Sequence, residues 1–226
     1  MGFDMYGLQT AVVVSTLFIT VLSVVLAAFL TLNFRSRRQA SYLFWSLGMW
    51  VFAVGVAMEA AFALGVYSQA LAGIYIFVVA LTVELLALGS MQLVSSRALR
   101  IAYYAYCVAT TLVLAAATYT AEIGNIIVTY VVFGSLPISV IIASSLVTFP
   151  AAVLLAVIAG ISYWHNRGAK MLSIIAGVVI VSVAGTLYIA AIPEFLYFAE
   201  FVGILFLWAG FFDAKGFRRS FHPGRT

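Results

Sequence analysis

Seven long apolar runs, separated by short polar or glycine-containing breaks, dominate the pattern of hydrophobic and polar positions along the chain. Each run is long enough to cross the hydrocarbon core of a bilayer as a helix, which needs about 20 residues. The predicted spans are residues 8–34, 40–66, 69–96, 99–120, 138–164, 171–192 and 193–212. We therefore predict an all-α integral membrane protein, a bundle of seven transmembrane helices within residues 1–214, followed by a basic tail at residues 215–226.

The composition supports this prediction. Hydrophobic residues make up 65% of the chain and charged residues 8%, whereas a soluble domain is about 45–50% apolar and about 25% charged. So few charges cannot cover a surface that faces water, so we expect the lipid bilayer to surround most of the chain. The single cysteine, Cys107, excludes an intramolecular disulfide and a metal site made from a cysteine pair.

The positive charges indicate the orientation of the bundle. With seven spans, all 11 Lys and Arg residues fall on one side, in the segments after spans one, three and five and in the tail. The positive-inside rule makes that side the cytoplasm, so we predict a multi-pass protein of the cell membrane with its N-terminus outside and its C-terminus cytoplasmic. The basic clusters are short and lie between apolar spans, so no nucleic-acid partner is expected.

A weak internal repeat accompanies this topology. Residues 26–40 align with residues 155–169 without gaps, and four of the positions are identical. This alignment favours a 3+1+3 arrangement of two parallel three-helix units joined by span four, as occurs in some transporters. The alternative is that two helix ends entering the cytoplasm resemble each other through composition alone.

The outer segment, residues 121–137, is the longest predicted connection. Its centre, residues 126–133, is rich in β-branched side chains, which favours a short strand or hairpin. An outward extension of a helix and a flap on the membrane surface are the alternatives. Its apolar side chains need a cover, which either the bundle or a partner protein can provide.

Three glutamates lie within the predicted spans: Glu59, Glu84 and Glu200. Glu84 is the deepest, and an ionisable residue inside a membrane span is by default a candidate functional residue. The interiors of the spans contain no Lys, Arg or His. Because unpaired burial disfavours the charged form, we expect Glu84 to be protonated, to face water or to meet a cation supplied from outside. Small residues share the faces of these carboxyls, which predicts close helix packing and inward-facing side chains.

The fifth span adds a polar group formed by Ser144, Ser145 and Thr148, next to Pro150. Pro150 removes the backbone hydrogen bond to Leu146 and is expected to bend the helix. Nearby hydroxyls can satisfy the freed carbonyl. The bend either lines a pocket or is purely structural, so the three hydroxyl residues join the three glutamates as candidates for ligand or ion binding.

The residues that are absent exclude several classes of protein. His165 and His222 are the only histidines and fall in predicted cytoplasmic segments, so neither haem nor zinc is expected. Aspartate occurs only at positions 4 and 213, so no aspartyl pair can catalyse proteolysis in the membrane. There is no glycine-rich phosphate loop, and the seventh span has no lysine for a retinal Schiff base. We therefore expect no enzyme activity, metal or cofactor.

Two functional hypotheses follow. The first is a non-enzymatic seven-helix membrane module, either sensor-like or an accessory subunit of a membrane complex. It would contact a protein partner through residues 121–137 or the cytoplasmic basic loops, and it is compatible with an oligomer. The second is a small cation- or proton-coupled transporter or channel that uses Glu84 with Glu59 or Glu200. An enzyme acting on a lipid is a distant third, because no nucleophile and base can be paired from the sequence.

Overall fold

The structure is a computed structural model that describes residues 5–128, 131–132, 136–166, 173, 176–177, 180 and 193–211. The helices in this part of the chain are α1 Met5–Arg37, α2 Ala40–Ala63, α3 Gln69–Met91, α4 Arg97–Thr120, α5 Ile138–Asn166 and α6 Pro193–Phe211. Two short strands, β1 Ile127–Val128 and β2 Val131–Val132, lie between α4 and α5.

Five of these helices are long and apolar enough to cross a membrane. Their apolar stretches contain 23 to 29 residues, and a helix of 23 residues is about 35 Å long. The chain is therefore a helical, multi-pass membrane protein. Helix α6, at the predicted seventh span, adds a shorter apolar stretch, Phe201–Gly210. Most of the predicted sixth span, residues 171–192, and the whole tail at 215–226 lie outside the described residues.

Two helix ends differ from the predicted spans because of local backbone geometry. Helix α1 continues past residue 34 to Arg37 and ends where Arg38 takes the left-handed conformation, with a φ of 51°. Helix α2 ends at Ala63 and not at residue 66. There Gly65, with a φ of 85°, turns the chain, and its N–H donates to the carbonyl of Phe62.

The third span also ends earlier than predicted, at Met91 and not at residue 96. Residues 92–96 form the connection, and Ser96 caps the next helix by accepting a hydrogen bond from the Leu99 N–H at 3.4 Å. Ser68 caps α3 in the same way, with the Leu71 N–H at 3.1 Å. Serine is a common N-cap residue, and these two serines determine where α3 and α4 begin.

Consecutive helices α1 to α4 run in alternating directions. Gln9, near the start of α1, donates to the carbonyl of Ala63 at the end of α2 at 2.9 Å. Trp45, near the start of α2, donates to Ser90, near the end of α3, at 3.3 Å. Gln92, directly after α3, donates to the hydroxyl of Tyr104 on α4. The connections at residues 38–39 and 92–96 therefore lie at one end of the bundle, together with Arg35, Arg37, Arg38, Arg97 and Arg100.

Helix α3 is central, because it packs against α2, α4 and α5, whereas α6 packs against α1. The α2–α3 contact is close because α2 presents glycines there. A Cβ atom at Gly48 would lie 3.1 Å from Leu86, and one at Gly55 would lie 3.4 Å from Val78. On α3, a Cβ at Gly89 would overlap the Trp45 indole. The small residues thus permit the close approach of helices that the sequence predicted.

The apolar core has two parts. One lies toward the basic end and combines α1, α2, α3, α5 and α6; its buried members include Leu30, Met49, Leu86, Leu155 and Ile204. The other lies toward the opposite end and combines α2, α3, α4, α5 and the outer segment; its buried members include Phe62, Ile76, Leu114, Ile126 and Val140.

The outer segment contains a small hairpin, which is one of the three alternatives predicted from the sequence. Strands β1 and β2 pair antiparallel, with Ile127 opposite Val132 and Val128 opposite Val131, and β2 lies against α2. Before the hairpin, Ile123 and Ile126 are 4% and 1% exposed and join the second core cluster. The bundle itself therefore covers these two side chains.

Candidate functional site

Glu59 bridges α2 and α3. Its side chain is only 2% exposed, and the Tyr75 hydroxyl of α3 donates to its Oε1 at 2.5 Å. The Tyr75 ring is in turn positioned by an edge-to-face contact with Phe62, with centroids 5.5 Å apart. The second carboxyl oxygen of Glu59 is buried and has no hydrogen-bond partner among the described residues.

Glu84 bridges α3 and α4. Its side chain is 3% exposed, and the Thr111 hydroxyl of α4 donates to its Oε2 at 2.7 Å. Cys107 and Thr110, on the same face of α4, also border the carboxyl. The Thr110 hydroxyl donates within its own helix, to the carbonyl of Tyr106 at 3.0 Å. In the described part of the chain, Oε1 of Glu84 is buried without a hydrogen-bond partner.

The two carboxyls face inward, as predicted, and each is hydrogen-bonded across a different contact between helices. Glu59 meets α3 at Tyr75, and Glu84 lies nine positions further along the same helix. Nine residues of helix correspond to about 13 Å along the axis. Glu59 therefore belongs to the α2–α3 seam and Glu84 to the α3–α4 seam. Glu200 lies on α6, and its side chain is outside the described part of the structure.

The carbonyl freed by Pro150 is satisfied from another helix. Pro150 lies inside α5 and cannot donate to the carbonyl of Leu146. The Tyr106 hydroxyl of α4 donates to that carbonyl at 2.6 Å. This contact joins α4 to α5 one position before Cys107, which borders Glu84. Helix α4 therefore contacts α5 through Tyr106 and α3 through Thr111.

The three predicted hydroxyl residues of α5 do not satisfy this carbonyl. Ser144 donates to the carbonyl of Ile141 at 3.1 Å, and Thr148 donates to the carbonyl of Ser144 at 2.9 Å. Ser145 is exposed on the helix surface. Ser144 and Thr148 thus use their protons within α5, and no described hydrogen bond joins these three residues to the glutamates.

Sequence reasoning missed the hydroxyls that contact the glutamates and the broken helix, namely those of Tyr75, Tyr106 and Thr111. A signal for them exists in the sequence. Tyr75 and Thr111 lie well inside apolar runs, away from the ends where interfacial aromatic anchors belong. Polar groups at such depths need partners, so each of them was a candidate for a contact between helices.

The chemistry available to this arrangement is limited. The described residues contain no group of three or more His, Cys, Asp and Glu side chains that would hold a metal ion. Cys107 is a buried free thiol beside Glu84. Reactive cysteines lie in partly exposed, electropositive surroundings, and a buried thiol beside a carboxyl group does not match this description.

The fold and these contacts define a multi-pass helical membrane protein in which intramembrane carboxyls bridge neighbouring helices. No protein-family profile, curated protein or solved structure matches the chain.

Proposed function

We propose that the chain is a non-enzymatic module of the cell membrane, either sensor-like or an accessory subunit of a membrane complex. One observation carries the proposal: Glu59 and Glu84 each accept a hydroxyl hydrogen bond from a neighbouring helix, and they do so on separate seams. Carboxyls arranged in this way hold helices in register, whereas a transport site built from several carboxyls needs them around one cavity. The charge distribution at the basic end provides a surface for a partner.

The proposed topology has seven spans, with the N-terminus outside and the C-terminus in the cytoplasm. The common end of the first two basic clusters supports this orientation under the positive-inside rule. Ser173, inside the predicted sixth span, is helical and donates to the carbonyl of Phe206 on α6 at 2.7 Å. This contact supports a further helix beside α6. The 3+1+3 repeat is part of the proposal, and three of its fifteen aligned positions, residues 167–169, lie outside the described residues.

The proposed partner binds at the cytoplasmic basic end. Ile123 and Ile126 of the outer segment are already covered by the bundle, which leaves that segment less apolar surface to offer. By contrast, Arg35, Arg38 and Arg97 are exposed at the basic end. Exposed cations of this kind contribute mainly to the rate and specificity of association.

The size of the complex in mild-detergent extracts of native membranes tests this proposal. The tagged full chain should migrate in an assembly larger than its own 24.4 kDa plus a detergent micelle. Replacing Arg35 and Arg97 by Gln should reduce the assembled fraction, whereas Glu122→Gln, at the opposite end, should not. Migration of the unaltered chain as a single copy, without any associated protein, would contradict the proposal.

A cation- or proton-coupled transporter or channel is the second candidate. The unpartnered Oε1 of Glu84 favours it. Flux of protons or alkali cations into vesicles containing the purified chain is the discriminating measurement. The first proposal predicts no flux above that of empty vesicles. Flux that Glu84→Gln abolishes and Glu59→Gln preserves would instead establish transport through the α3–α4 seam.

A further inference from the structure

We propose that residues 121–127, here called the strap, are a cover that opens and closes over the α2–α3 contact and controls the access of water to Glu59. The strap follows the last residue of α4 and precedes the hairpin. Two of its side chains, Ile123 and Ile126, are buried in the same apolar cluster as Phe62 of α2. The strap therefore packs on the end of the bundle that contains Glu59, opposite the basic end.

Two side chains near the start of α3 hold the strap by its backbone. The Tyr67 hydroxyl donates to the carbonyl of Gly124, and the Gln69 side chain donates to the carbonyl of Ala121 at 3.4 Å. Both hydrogen bonds lie at the exposed surface, where water can replace either partner. A segment that is held by surface hydrogen bonds and a small number of buried side chains opens at a lower free energy than the helices it covers.

A continuous set of contacts leads from the strap to Glu59. The Tyr67 ring lies against the Phe62 ring, with centroids 6.3 Å apart. Phe62 is 1% exposed and makes the edge-to-face contact that positions Tyr75, the residue whose hydroxyl donates to Glu59. Glu59 precedes the last residue of α2, Ala63, by four positions, which is about 6 Å along the helix axis. Only a thin apolar layer therefore separates this buried hydrogen bond from the end of the bundle.

This arrangement determines what opening of the strap does. An open strap withdraws Ile123 and Ile126 from the cluster that encloses Phe62, and water then reaches the Glu59 carboxyl. Water competes for the hydrogen bond from Tyr75 and weakens the contact between α2 and α3. The inference concerns the end of the bundle opposite the proposed partner surface, so it can fail without the proposed function failing, and the reverse also holds.

Carboxyl modification by a water-soluble carbodiimide and a small amine measures this access in the full chain. The chain is placed in lipid nanodiscs, whose two faces are both open to the reagent, and mass spectrometry of peptides gives the rate at each glutamate. All proteins carry Glu122→Gln, because Glu122 is an exposed carboxyl of the strap itself. Tyr67→Phe keeps the ring and removes the hydroxyl that holds Gly124. It should raise the rate at Glu59 about two- to tenfold, as expected when one hydrogen bond that favours the closed state is lost.

Two matched comparisons separate opening of the strap from a general loosening of the bundle. Tyr119→Phe removes a hydroxyl at the same end of the bundle, from a side chain that is 92% exposed, and should leave the rate at Glu59 unchanged. Glu84 lies in the same molecules at the α3–α4 contact, and its rate should stay low in every variant.

Ile126→Ala provides a second variant, which opens the strap without altering the Tyr67 hydrogen bond. Removing most of a side chain that is 1% exposed should raise the rate at Glu59 by more than about tenfold. A higher rate at Glu59 but not at Glu84, in either variant, supports the proposal. Unchanged rates at Glu59 in both variants, or rates that rise equally at Glu59 and Glu84, overturn it.

Discussion

The hydrogen bond between Tyr106 and the carbonyl of Leu146 makes a specific energetic prediction. The Leu146 carbonyl is free to accept this bond only because Pro150 has no N–H to donate to it. Tyr106→Phe should therefore destabilise the native bundle when Pro150 is present. In a Pro150→Ala background the alanine N–H can bond to Leu146 in the ordinary helical way, and Tyr106→Phe should then have little effect.

The expected magnitude follows from hydrogen bonds measured in membrane proteins. Bonds between helices contribute about 0.6 kcal/mol on average and up to about 1.7 kcal/mol. Tyr106→Phe also leaves the carbonyl without a partner at a depth where no water is at hand to replace the hydroxyl. The distance of 2.6 Å is typical of a well-formed bond to a hydroxyl donor. We therefore expect a loss of about 1–2 kcal/mol with proline and less than about 0.5 kcal/mol with alanine.

Reversible unfolding in mixed micelles can measure this double-mutant cycle, with the free energy of unfolding of all four proteins determined under identical conditions. The coupling energy between the two substitutions should be about 1 kcal/mol, as expected for residues that share one bond. An equal loss from Tyr106→Phe in the two backgrounds would show that the hydroxyl does not compensate for the proline.

Two further pairs of substitutions test the packing and the backbone. Gly89→Ala should lower the free energy of unfolding by about 1–3 kcal/mol, because the new methyl group overlaps the buried indole of Trp45; Gly160→Ala, where nothing lies within 4 Å, should be neutral or stabilising in the same assay. Arg38→Gly should raise the thermal midpoint, because the φ of 51° at Arg38 is unfavourable by about 1–2 kcal/mol for a residue with a Cβ. Arg37→Gly, at the last residue of α1, should lower the midpoint instead, because glycine is a poor helix former and the hydrogen bond from Arg37 to the Tyr42 hydroxyl is lost. The same response at both positions would be evidence against this account.

The sequence predicted the membrane class and five spans well, because an apolar run of sufficient length has few other options than to cross the bilayer. It predicted the helix ends less accurately. The third span was predicted to reach residue 96, yet residues 92–96 form a connection in which Ser96 caps α4. Hydropathy averages over many residues and cannot detect a single capping hydroxyl.

The candidate site was predictable only in part. The inward direction of Glu59 and Glu84 follows from the free energy of placing a carboxyl in lipid. Their separation on two seams depends on how the helices rotate about their axes, which side-chain packing such as Gly48 against Leu86 determines. Likewise, Pro150 predicted a free carbonyl, but the donor, Tyr106, comes from a helix 40 residues away in sequence.

The central claim is that Glu59 and Glu84 act at independent contacts between helices. The most direct test compares the free energies of unfolding of Glu59→Ala, Glu84→Ala and the double variant with that of the unaltered chain. Glu59 contacts α3 at Tyr75, which lies about 13 Å along the helix axis from Glu84. The two substitutions should therefore have effects that add within about 0.5 kcal/mol, whatever the sign of each. A coupling energy well above this value would mean that the two carboxyls interact, and would contradict the separation of the seams.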